Sequence, residues 1–268
     1  MITSTDNRQM KRISQLLKKA KARKQEGVFV VEGIRMFAEA PRDWVTDIYV
    51  SDTFLQDPER KRMLADRAYE VVADSVLKSI SDTQTPQGIL CLVKSPVYRL
   101  EQLLQKENPQ LLILESIQDP GNLGTMLRSG EGAGITGVVM NRTTVDLFNP
   151  KTIRSTMGSI YRVPYFVTDH LTETIAELKL RHISVYAAHL QGTVFYDEPD
   201  YCGGTAFLIG NEGNGLSEEI AGLADAKIRI PMEGNVESLN AAISASLLMY
   251  EVSRQRRRKE RVIHENLV

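Results

Sequence analysis

A regular alternation of apolar strands and helices over residues 111–231 restricts the fold of this chain more than any other feature. Helical patterns near 122–133, 171–180 and 216–223 separate the apolar runs. Strands that are apolar along their whole length are typical of parallel sheets covered by helices. The sequence therefore predicts an α/β fold with a mainly parallel sheet, closed by a long helix from about Ser238 to beyond Arg258. The predicted strands are LLILE (111–115), GVVM (137–140), VPYFV (163–167), ISVYAA (183–188), TAFLIG (205–210) and AKIRIP (226–231).

A second alternation of helices and strands occupies the first 95 residues of the 268-residue chain. It begins with a helix predicted over 8–26, which Gly27 ends, and continues with the strand VFVV at 28–31. The proline-containing segment SPVYRL at 95–100 interrupts the pattern, and a chain of this length is enough for two domains. We predict a smaller α/β domain at 1–96, a linker at 97–109 and a larger α/β domain at 110–268.

The composition argues against several classes of protein. Hydrophobic residues make up 42% and charged residues 25% of the chain, which is typical of a globular protein. Cys91 and Cys202 have no CxxC spacing and no histidine partner at metal-ligand spacing, so we predict neither a metal site nor a disulfide framework. The start of the chain lacks an apolar signal segment, and no apolar run approaches the ~20 residues of a membrane span. These features favour a reducing, cytoplasmic location without a membrane partner.

The net charge of −1 conceals an uneven distribution. Residues 1–26 carry eight Lys and Arg against Asp6 and Glu26, and residues 254–261 carry six against Glu260. The region between these two segments is acidic. Basic segments of this kind indicate either contact with a polyanion or two solvated helix ends, and charge alone leaves both interpretations open.

Two glycine-rich segments differ in their position relative to the strands. GAGITG at 132–137 matches the GxGxxG pattern, but it follows a helix and precedes a strand, the reverse of a dinucleotide-binding site. GNEGNG at 210–215 follows a strand and precedes a helix, where parallel sheets bind their ligands. Glu212 within it suits a cation or a hydrogen-bond donor better than a phosphate. We therefore predict a small-molecule site at the second segment only.

Three segments together resemble the motifs of the SpoU, or TrmH-like, branch of the SPOUT RNA methyltransferases. They occur in the family's order and are DPGNLGTMLR (119–128), IGNEGNGLS (209–217) and IPMEGNVESLNAAISAS (230–246). In the third segment a helix cap explains Ser238 or Asn240 but not both, which leaves one for chemistry. The basic N-terminal helix with GVFVVEGIRMFAEA (27–40) resembles, more loosely, the substrate-binding domain of ribosomal RNA members.

The resemblance implies a fold, a cofactor and an activity. The C-terminal domain would hold a deep trefoil knot, and the N-terminal domain would be similar to ribosomal protein L30e. The protein would be a homodimer that uses S-adenosylmethionine to methylate a ribose 2′-hydroxyl, in large-subunit ribosomal RNA because of the appended domain. Two alternatives stay open: a transfer RNA methyltransferase of the same branch, and a catalytically silent RNA-binding or ribosome-assembly protein.

The resemblance implies candidate site residues at matching family positions. Arg128 would donate to a neighbouring phosphate and polarise the hydroxyl, with general base as the alternative role. Asn122 would hold Arg128 or the RNA backbone, and Asn240 would bond the nucleotide or Glu212. The candidate catalytic residues are Asn122, Arg128, Glu212, Ser238 and Asn240, and the candidate cofactor-binding residues are Ala188, Gly210, Ile230, Met232 and Leu239.

Two further predictions concern macromolecular partners. Basic side chains of the first helix are candidate phosphate contacts, and Arg154 is similar to a family position near the RNA. The last helix carries an apolar stripe, which we expect to form the dimer interface. The candidate RNA-binding residues are Arg8, Lys11, Arg12, Lys18, Lys19, Arg23 and Arg154, and the stripe is Ala245, Leu248, Met249 and Val252.

Overall fold

The computed structural model describes the backbone of residues 1–265 and the side chains of residues 1–262. The helices are α1 (Arg8–Lys18), α2 (Ala20–Glu26), α3 (Ile34–Glu39), α4 (Asp52–Gln56), α5 (Pro58–Leu64), α6 (Asp74–Ile80), α7 (Leu100–Leu103), α8 (Pro120–Ala133), α9 (Pro150–Thr156), α10 (Leu171–Leu180), α11 (Glu218–Gly222) and α12 (Ala241–Glu265). The strands are β1 (Val28–Glu32), β2 (Val45–Ser51), β3 (Glu70–Val72), β4 (Ile89–Lys94), β5 (Gln110–Leu114), β6 (Gly137–Asn141), β7 (Tyr165–Thr168), β8 (Ser184–Ala188), β9 (Val194–Phe195), β10 (Thr205–Ile209) and β11 (Ala226–Arg229). No helix among these is long and apolar enough to cross a membrane.

The chain divides into two compact units, and one segment lies outside the unit that its sequence position suggests. Met1–Pro96 and Asp146–Tyr161 form the first unit, and Val97–Val145 and Arg162–Val268 form the second. The Phe148 ring stacks on Phe29 with centroids 4.6 Å apart, and the Tyr161 hydroxyl donates to the Met36 carbonyl at 2.9 Å. These long-range contacts explain why residues 146–161 pack with the first unit. The functional division at 1–96, 97–109 and 110–268 stays a prediction.

The first unit is built on a mixed four-stranded sheet in the order β1-β4-β2-β3. β4 is antiparallel to β1 and β2, while β2 and β3 are parallel. Met10, Ile13 and Leu16 of α1 are fully buried in the core of this unit. Their helical spacing gives α1 one apolar face, which is what fixes the helix to the unit.

The helix predicted over residues 8–26 is interrupted. Lys19 has an extended backbone (φ −123°, ψ 112°) and separates α1 from α2. The break frees carbonyl groups at the end of α1, and the Arg23 guanidinium donates to those of Leu16 and Leu17. Gly27 ends α2 in the left-handed conformation (φ 64°), as its sequence position predicts.

The second unit contains a seven-stranded sheet in the order β7-β6-β5-β10-β8-β11-β9. Every neighbouring pair is parallel, which confirms the predicted mainly parallel α/β fold. The central strands β5 and β10 are buried along their whole length, as their continuous apolar sequences require. The two-residue edge strand β9 was not predicted, because two residues are too short to show a period. The trefoil knot stays a prediction.

The apolar stripe that we expected to form a dimer interface lies instead in the core of the second unit. Ala245, Leu248, Met249 and Val252 have no exposed surface, and α12 packs along α8. The periodicity of a helix shows which face is apolar but not whether its partner is the same chain or another. The assignment of this stripe to a dimer interface is therefore wrong.

Candidate functional site

The carboxyl ends of three adjacent parallel strands define one edge of the large sheet. β10, β8 and β11 end at Ile209, Ala188 and Arg229 and are neighbours in this order. Because parallel strands end on the same side of a sheet, the loops that follow them converge. This is the edge at which the sequence places both the GNEGNG segment and the cofactor residues.

The GNEGNG loop closes on itself around one asparagine. The backbone groups of Asn211 and Gly215 exchange two hydrogen bonds of 3.0 and 2.9 Å, and Asn211 Oδ1 accepts from Gly213 and Asn214. A Cβ atom at Gly210 would overlap the backbone of Gly215 and Leu216, so the fold-back requires a glycine there. The loop thus has a shape set by its own residues before any ligand is bound.

Glu212 projects from this loop to the start of α8. Its Oε2 accepts from the Gln118 N–H at 2.9 Å, and its Oε1 accepts from the Asp119 N–H at 3.1 Å and from Asn122 Nδ2 at 2.9 Å. Partial burial raises the pKa of this carboxyl, but the hydrogen bonds from Asn122, Gln118 and Asp119 together outweigh it, so the pKa lies below its usual value. Glu212 is therefore an ionised acceptor that binds the first and second motifs together.

Asn122 and Asn240 extend this arrangement to the third motif. Asn240 Nδ2 donates to Asn122 Oδ1 at 2.9 Å, so Glu212, Asn122 and Asn240 form one hydrogen-bonded chain. Asn240 Oδ1 also accepts from the N–H groups of Ala242 and Ile243 and so caps α12. The residue that caps α12 is therefore Asn240 rather than Ser238. The same Asn240 side chain also donates the hydrogen bond to Asn122. Asn240 reaches Glu212 only through Asn122.

Arg128 and Ser238 lie apart from this hydrogen-bonded chain. Arg128 is exposed on α8, six residues after Asn122, and no described residue forms a hydrogen bond or an ion pair with it. The Asn122 carboxamide bonds Glu212 and Asn240 and forms no hydrogen bond with Arg128 in the described chain, so its predicted hold on Arg128 or on the RNA backbone stays a prediction. Ser238 is exposed in the loop before α12 and has no hydrogen bond within the described chain. Both side chains are free to meet a substrate.

Three of the five candidate cofactor residues lie at the strand ends. Ala188 ends β8, Gly210 follows β10 and Ile230 follows β11, and each is half-buried. Met232 and Leu239 are half-buried in the loop that leads to α12. The structure thus gathers on one edge three strand-end positions, the first and last of which lie 42 residues apart along the chain.

The candidate RNA contacts divide into free and engaged side chains. Arg8, Lys18 and Lys19 are exposed and have no partner among the described residues. Lys11 pairs with Asp6, Arg12 with Glu26 and Asp47, and Arg154 with Asp82.

One of these candidates is not a surface residue. Arg23 is 5% exposed and is ion-paired with Asp146. Its guanidinium also donates hydrogen bonds to the carbonyls at the end of α1. The prediction that Arg23 contacts phosphate is therefore wrong, because its guanidinium is already used inside the first unit.

Several supporting residues were missed by sequence reasoning. Gln118 and Asp119 act through backbone N–H groups, which no side-chain pattern reveals. Asn211 also donates to the Ser116 carbonyl at 2.9 Å, and Ser116 itself has a positive φ of 58°. The position of Asn211 beside Glu212 in a glycine-rich loop was a usable signal for it. Asp119 was recognisable as a helix cap before Pro120.

The first glycine segment has the structure that its order in the sequence indicates. Gly134 ends α8 with φ 83°, and Gly137 opens β6. The segment is thus a helix terminus and a turn, without the strand–loop–helix order of a dinucleotide site. Within the described residues, no group of three or more His, Cys, Asp or Glu is arranged to hold a metal ion.

Two family models match the chain. Residues 109–250 match the SpoU rRNA Methylase family, and residues 7–91 match the MRM3-like substrate binding domain. The chain is 31% identical over 253 residues to the 23S rRNA (guanosine(2553)-2′-O)-methyltransferase RlmP of Bacillus subtilis, covering 94% of this chain and 98% of that protein.

Solved structures agree with these matches. The SpoU methyltransferase AviRb from Streptomyces viridochromogenes, in complex with the cofactor AdoMet, superposes with a TM-score of 0.86 at 26% identity, over 93% of this chain and 98% of that one. The AdoMet-bound rRNA methyltransferase from Sinorhizobium meliloti gives a TM-score of 0.82 at 29% identity, over 94% and 97% of the two chains. The likeness therefore extends over both units and the whole of the site.

Proposed function

The chain belongs to the SpoU rRNA methylase family, and we propose that it transfers a methyl group from S-adenosylmethionine to a ribose 2′-hydroxyl of large-subunit ribosomal RNA. The observation that carries this proposal is the hydrogen-bonded chain of Glu212, Asn122 and Asn240, one residue from each motif. It lies at the edge where the three strand ends meet. The relative from Bacillus subtilis and the substrate-binding domain match support ribosomal RNA over transfer RNA.

The residues at the strand ends fit S-adenosylmethionine. Ala188, Ile230 and Leu239 offer half-buried apolar surface for an adenine ring, and the missing Cβ of Gly210 lets the loop backbone fold closely beside them. Backbone N–H and C=O groups of the three loops are available for the polar parts of such a ligand. We assign Ala188, Gly210, Ile230, Met232 and Leu239 to this role. When bound, the cofactor supplies an electrophilic methyl group.

Arg128 acts on the nucleophile. A ribose hydroxyl is a weak nucleophile until its proton leaves, and the new O–CH₃ bond forms as the S–CH₃ bond of the donor breaks. An arginine keeps its own proton, so Arg128 donates to the phosphate beside the ribose and polarises the hydroxyl, whose proton passes to water. A deprotonated Arg128 acting as general base is the alternative. Arg128 is exposed and has no partner among the described residues, so all its guanidinium N–H groups are available to donate to the substrate.

We assign the hydrogen-bonded chain to the positioning of the three motifs. Glu212 ties the GNEGNG loop to α8, and Asn240 ties the start of α12 to Asn122. Positioning of this kind can contribute several kcal/mol to a transfer that needs an in-line approach. Ser238 is placed two residues from Asn240, where its hydroxyl can meet the nucleotide.

RNA and a second copy of the chain are the proposed partners. Arg8, Lys18 and Lys19 present unpaired positive charge on the first unit, which supports phosphate binding there. For the homodimer, Ile243, Leu247 and Tyr250 of α12 are 52%, 38% and 46% exposed and share one helix face. This exposed face replaces the buried stripe as the proposed interface. The two free cysteines suit the reducing cytoplasm in which we place the protein.

Mapping of 2′-O-methylated nucleotides tests the proposed function. Large-subunit ribosomal RNA from cells with and without the gene is compared nucleotide by nucleotide. We expect one site to lose its methyl group on deletion and to regain it when the gene is restored. An unchanged ribosomal RNA together with a lost methyl group in transfer RNA would favour the transfer RNA alternative.

A further inference from the structure

The last turns of α12 carry a second cluster of unpaired positive charge. We define the basic strip of α12 as Arg257, Arg258, Lys259 and Arg261. All four side chains are exposed, and none forms a hydrogen bond or an ion pair with the described residues. Glu260 is the one carboxylate within the strip, so the strip carries a net charge of +3.

The helix that carries the strip is anchored immediately before it. Arg256 donates to the carbonyls of Tyr201, Asn108 and Gly203 at 3.2, 2.9 and 2.6 Å, and burial lowers the pKa of its guanidinium. Arg254 pairs with the buried Glu251. Arg254 and Arg256 therefore have structural roles, whereas the next four basic side chains have no hydrogen bond or ion pair with the described residues.

A cavity of about 430 Å³ adjoins the strip. Arg258 and Lys259 contribute to its wall, together with Arg254 and Asp200. The Asp200 carboxylate already accepts from the Cys202 N–H at 2.8 Å. An anionic ligand in this cavity would thus meet the N–H donors of the basic side chains and one carboxylate, Asp200, which already accepts a hydrogen bond from Cys202.

Stabilisation of the helix dipole does not account for the strip. That effect is confined to the last turn of a helix. The described part of α12 extends to Glu265, so all four side chains lie before the last described turn. Their exposure, sign and lack of partners point instead to a polyanion.

We infer that the basic strip of α12 binds the phosphate backbone of the substrate RNA, as a contact surface on the catalytic unit itself. This inference rests on the proposed function, which supplies an RNA as the substrate. Asn240 and Arg257 are seventeen residues apart on one helix, a rise of about 25 Å at 1.5 Å per residue. The strip therefore contacts RNA at a distance from the methylated nucleotide and contributes affinity and orientation rather than sequence readout.

The test compares salt dependences of RNA binding. The variant Arg257→Gln/Arg258→Gln/Lys259→Gln/Arg261→Gln and the wild type are titrated with a fluorescent RNA hairpin at several salt concentrations. Each lost phosphate contact lowers the slope of log K against log salt by roughly 0.7–0.9, so four contacts lower it by about 3. The single variant Lys259→Gln should lower the steepness of this slope by about 0.9 or less. Lys106 is an exposed, unpaired lysine in the same part of the molecule, and the control variant Lys106→Gln should leave the slope unchanged.

Two further measurements separate the possible failures. Thermal unfolding and S-adenosylmethionine binding should match the wild type, since no changed residue lies at the strand ends. Methylation by the variant should recover the wild-type rate when RNA is saturating. An unchanged salt slope with full wild-type methylation would overturn the inference and leave the proposed function intact. Wild-type protein that binds the RNA but methylates neither ribosomal nor transfer RNA would overturn the proposed function instead.

Discussion

Asn240 performs two tasks with one side chain. Its carbonyl oxygen caps α12, and its amide nitrogen donates to Asn122. Ser238, two residues earlier, does neither within the described chain. The two roles of Asn240 can therefore be separated by substitution.

Asn240→Ala should destabilise the protein by about 1 kcal/mol, because it leaves two N–H groups of α12 without an acceptor. Asn240→Ser should retain the cap and most of the stability but lose the donor to Asn122, so its methylation rate should fall. Urea unfolding and single-turnover methylation measure the two effects. Ser238→Ala is the control for stability, and a loss of stability there equal to that of Asn240→Ala would contradict this assignment of the cap.

The ionised state of Glu212 predicts a pH dependence of stability. Its pKa lies below the usual 4.5, so its hydrogen bonds stabilise the folded protein fully above that pH. This stabilisation is lost as the pH falls through the lowered pKa. Urea unfolding of wild type and Glu212→Gln should differ by a constant amount from about pH 7 to about pH 5, and the difference should shrink at lower pH. A difference that grows on acidification would show that Glu212 is protonated in the folded protein.

At this scale the sequence predicts candidate site residues but not the partners of their side chains. Asn122, Glu212 and Asn240 were predicted from three separate motifs, and the structure joins them. Arg23 shows the opposite case, because a lysine-rich helix predicts surface charge and only the fold reveals the buried partner Asp146. Roles of single residues in catalysis stay predictions.

At the scale of elements, the site depends on a loop shape that glycine permits. A Cβ at Gly210 would overlap the backbone of Gly215 and Leu216, whereas a Cβ at Gly213 would have only an ordinary contact with Asn211 Oδ1 at 3.5 Å. Both residues belong to the same short loop. They therefore make a matched pair of substitutions.

Gly210→Ala should weaken S-adenosylmethionine binding, and Gly213→Ala should not. Overpacking of this kind costs about 1–3 kcal/mol, which corresponds to roughly a 5- to 150-fold loss of affinity if the loop shifts away from the ligand. Calorimetric titration of both variants and the wild type measures it. Equal affinities for all three proteins would place the cofactor away from this loop.

The helices and strands of the second unit follow closely from its sequence. Apolar runs predicted six strands that the structure contains, and α10 spans the predicted residues 171–180. The strand order was not predictable, because β10 inserts between β5 and β8 through contacts distant in sequence. The convergence of Ala188, Gly210 and Ile230 depends on that order. Only the family resemblance predicted that these residues line one site, and it gave no strand order.

At the scale of the whole molecule, α12 divides its apolar residues between two environments. One face is buried against α8, while Ile243, Leu247 and Tyr250 remain exposed. A single hydrophobic periodicity in the sequence cannot distinguish these faces, which is why the wrong stripe was assigned to the dimer. The family and the α/β fold class are confirmed, whereas the dimer stays a prediction.

Leu247→Glu should convert the proposed homodimer into a monomer, because it buries a charge in the interface. Light scattering at micromolar concentration measures the mass of each variant. Leu180→Glu is the control, since Leu180 is 82% exposed and lies on α10, away from the proposed interface. If the wild type is a fully active monomer at that concentration, the proposed assembly is wrong.

The most direct test of the account is single-turnover methylation of large-subunit ribosomal RNA with methyl-labelled S-adenosylmethionine, followed by alkaline hydrolysis. A 2′-O-methyl group blocks cleavage of the adjoining phosphodiester, so we predict that the label is recovered in alkali-resistant dinucleotides. Arg128→Ala should bind the cofactor normally but transfer the methyl group about 10²-fold more slowly, the scale expected when a charge-stabilising group is lost. Label recovered only in mononucleotides would contradict ribose methylation. An Arg128→Ala variant that transfers the methyl group at the wild-type rate would contradict the role of Arg128.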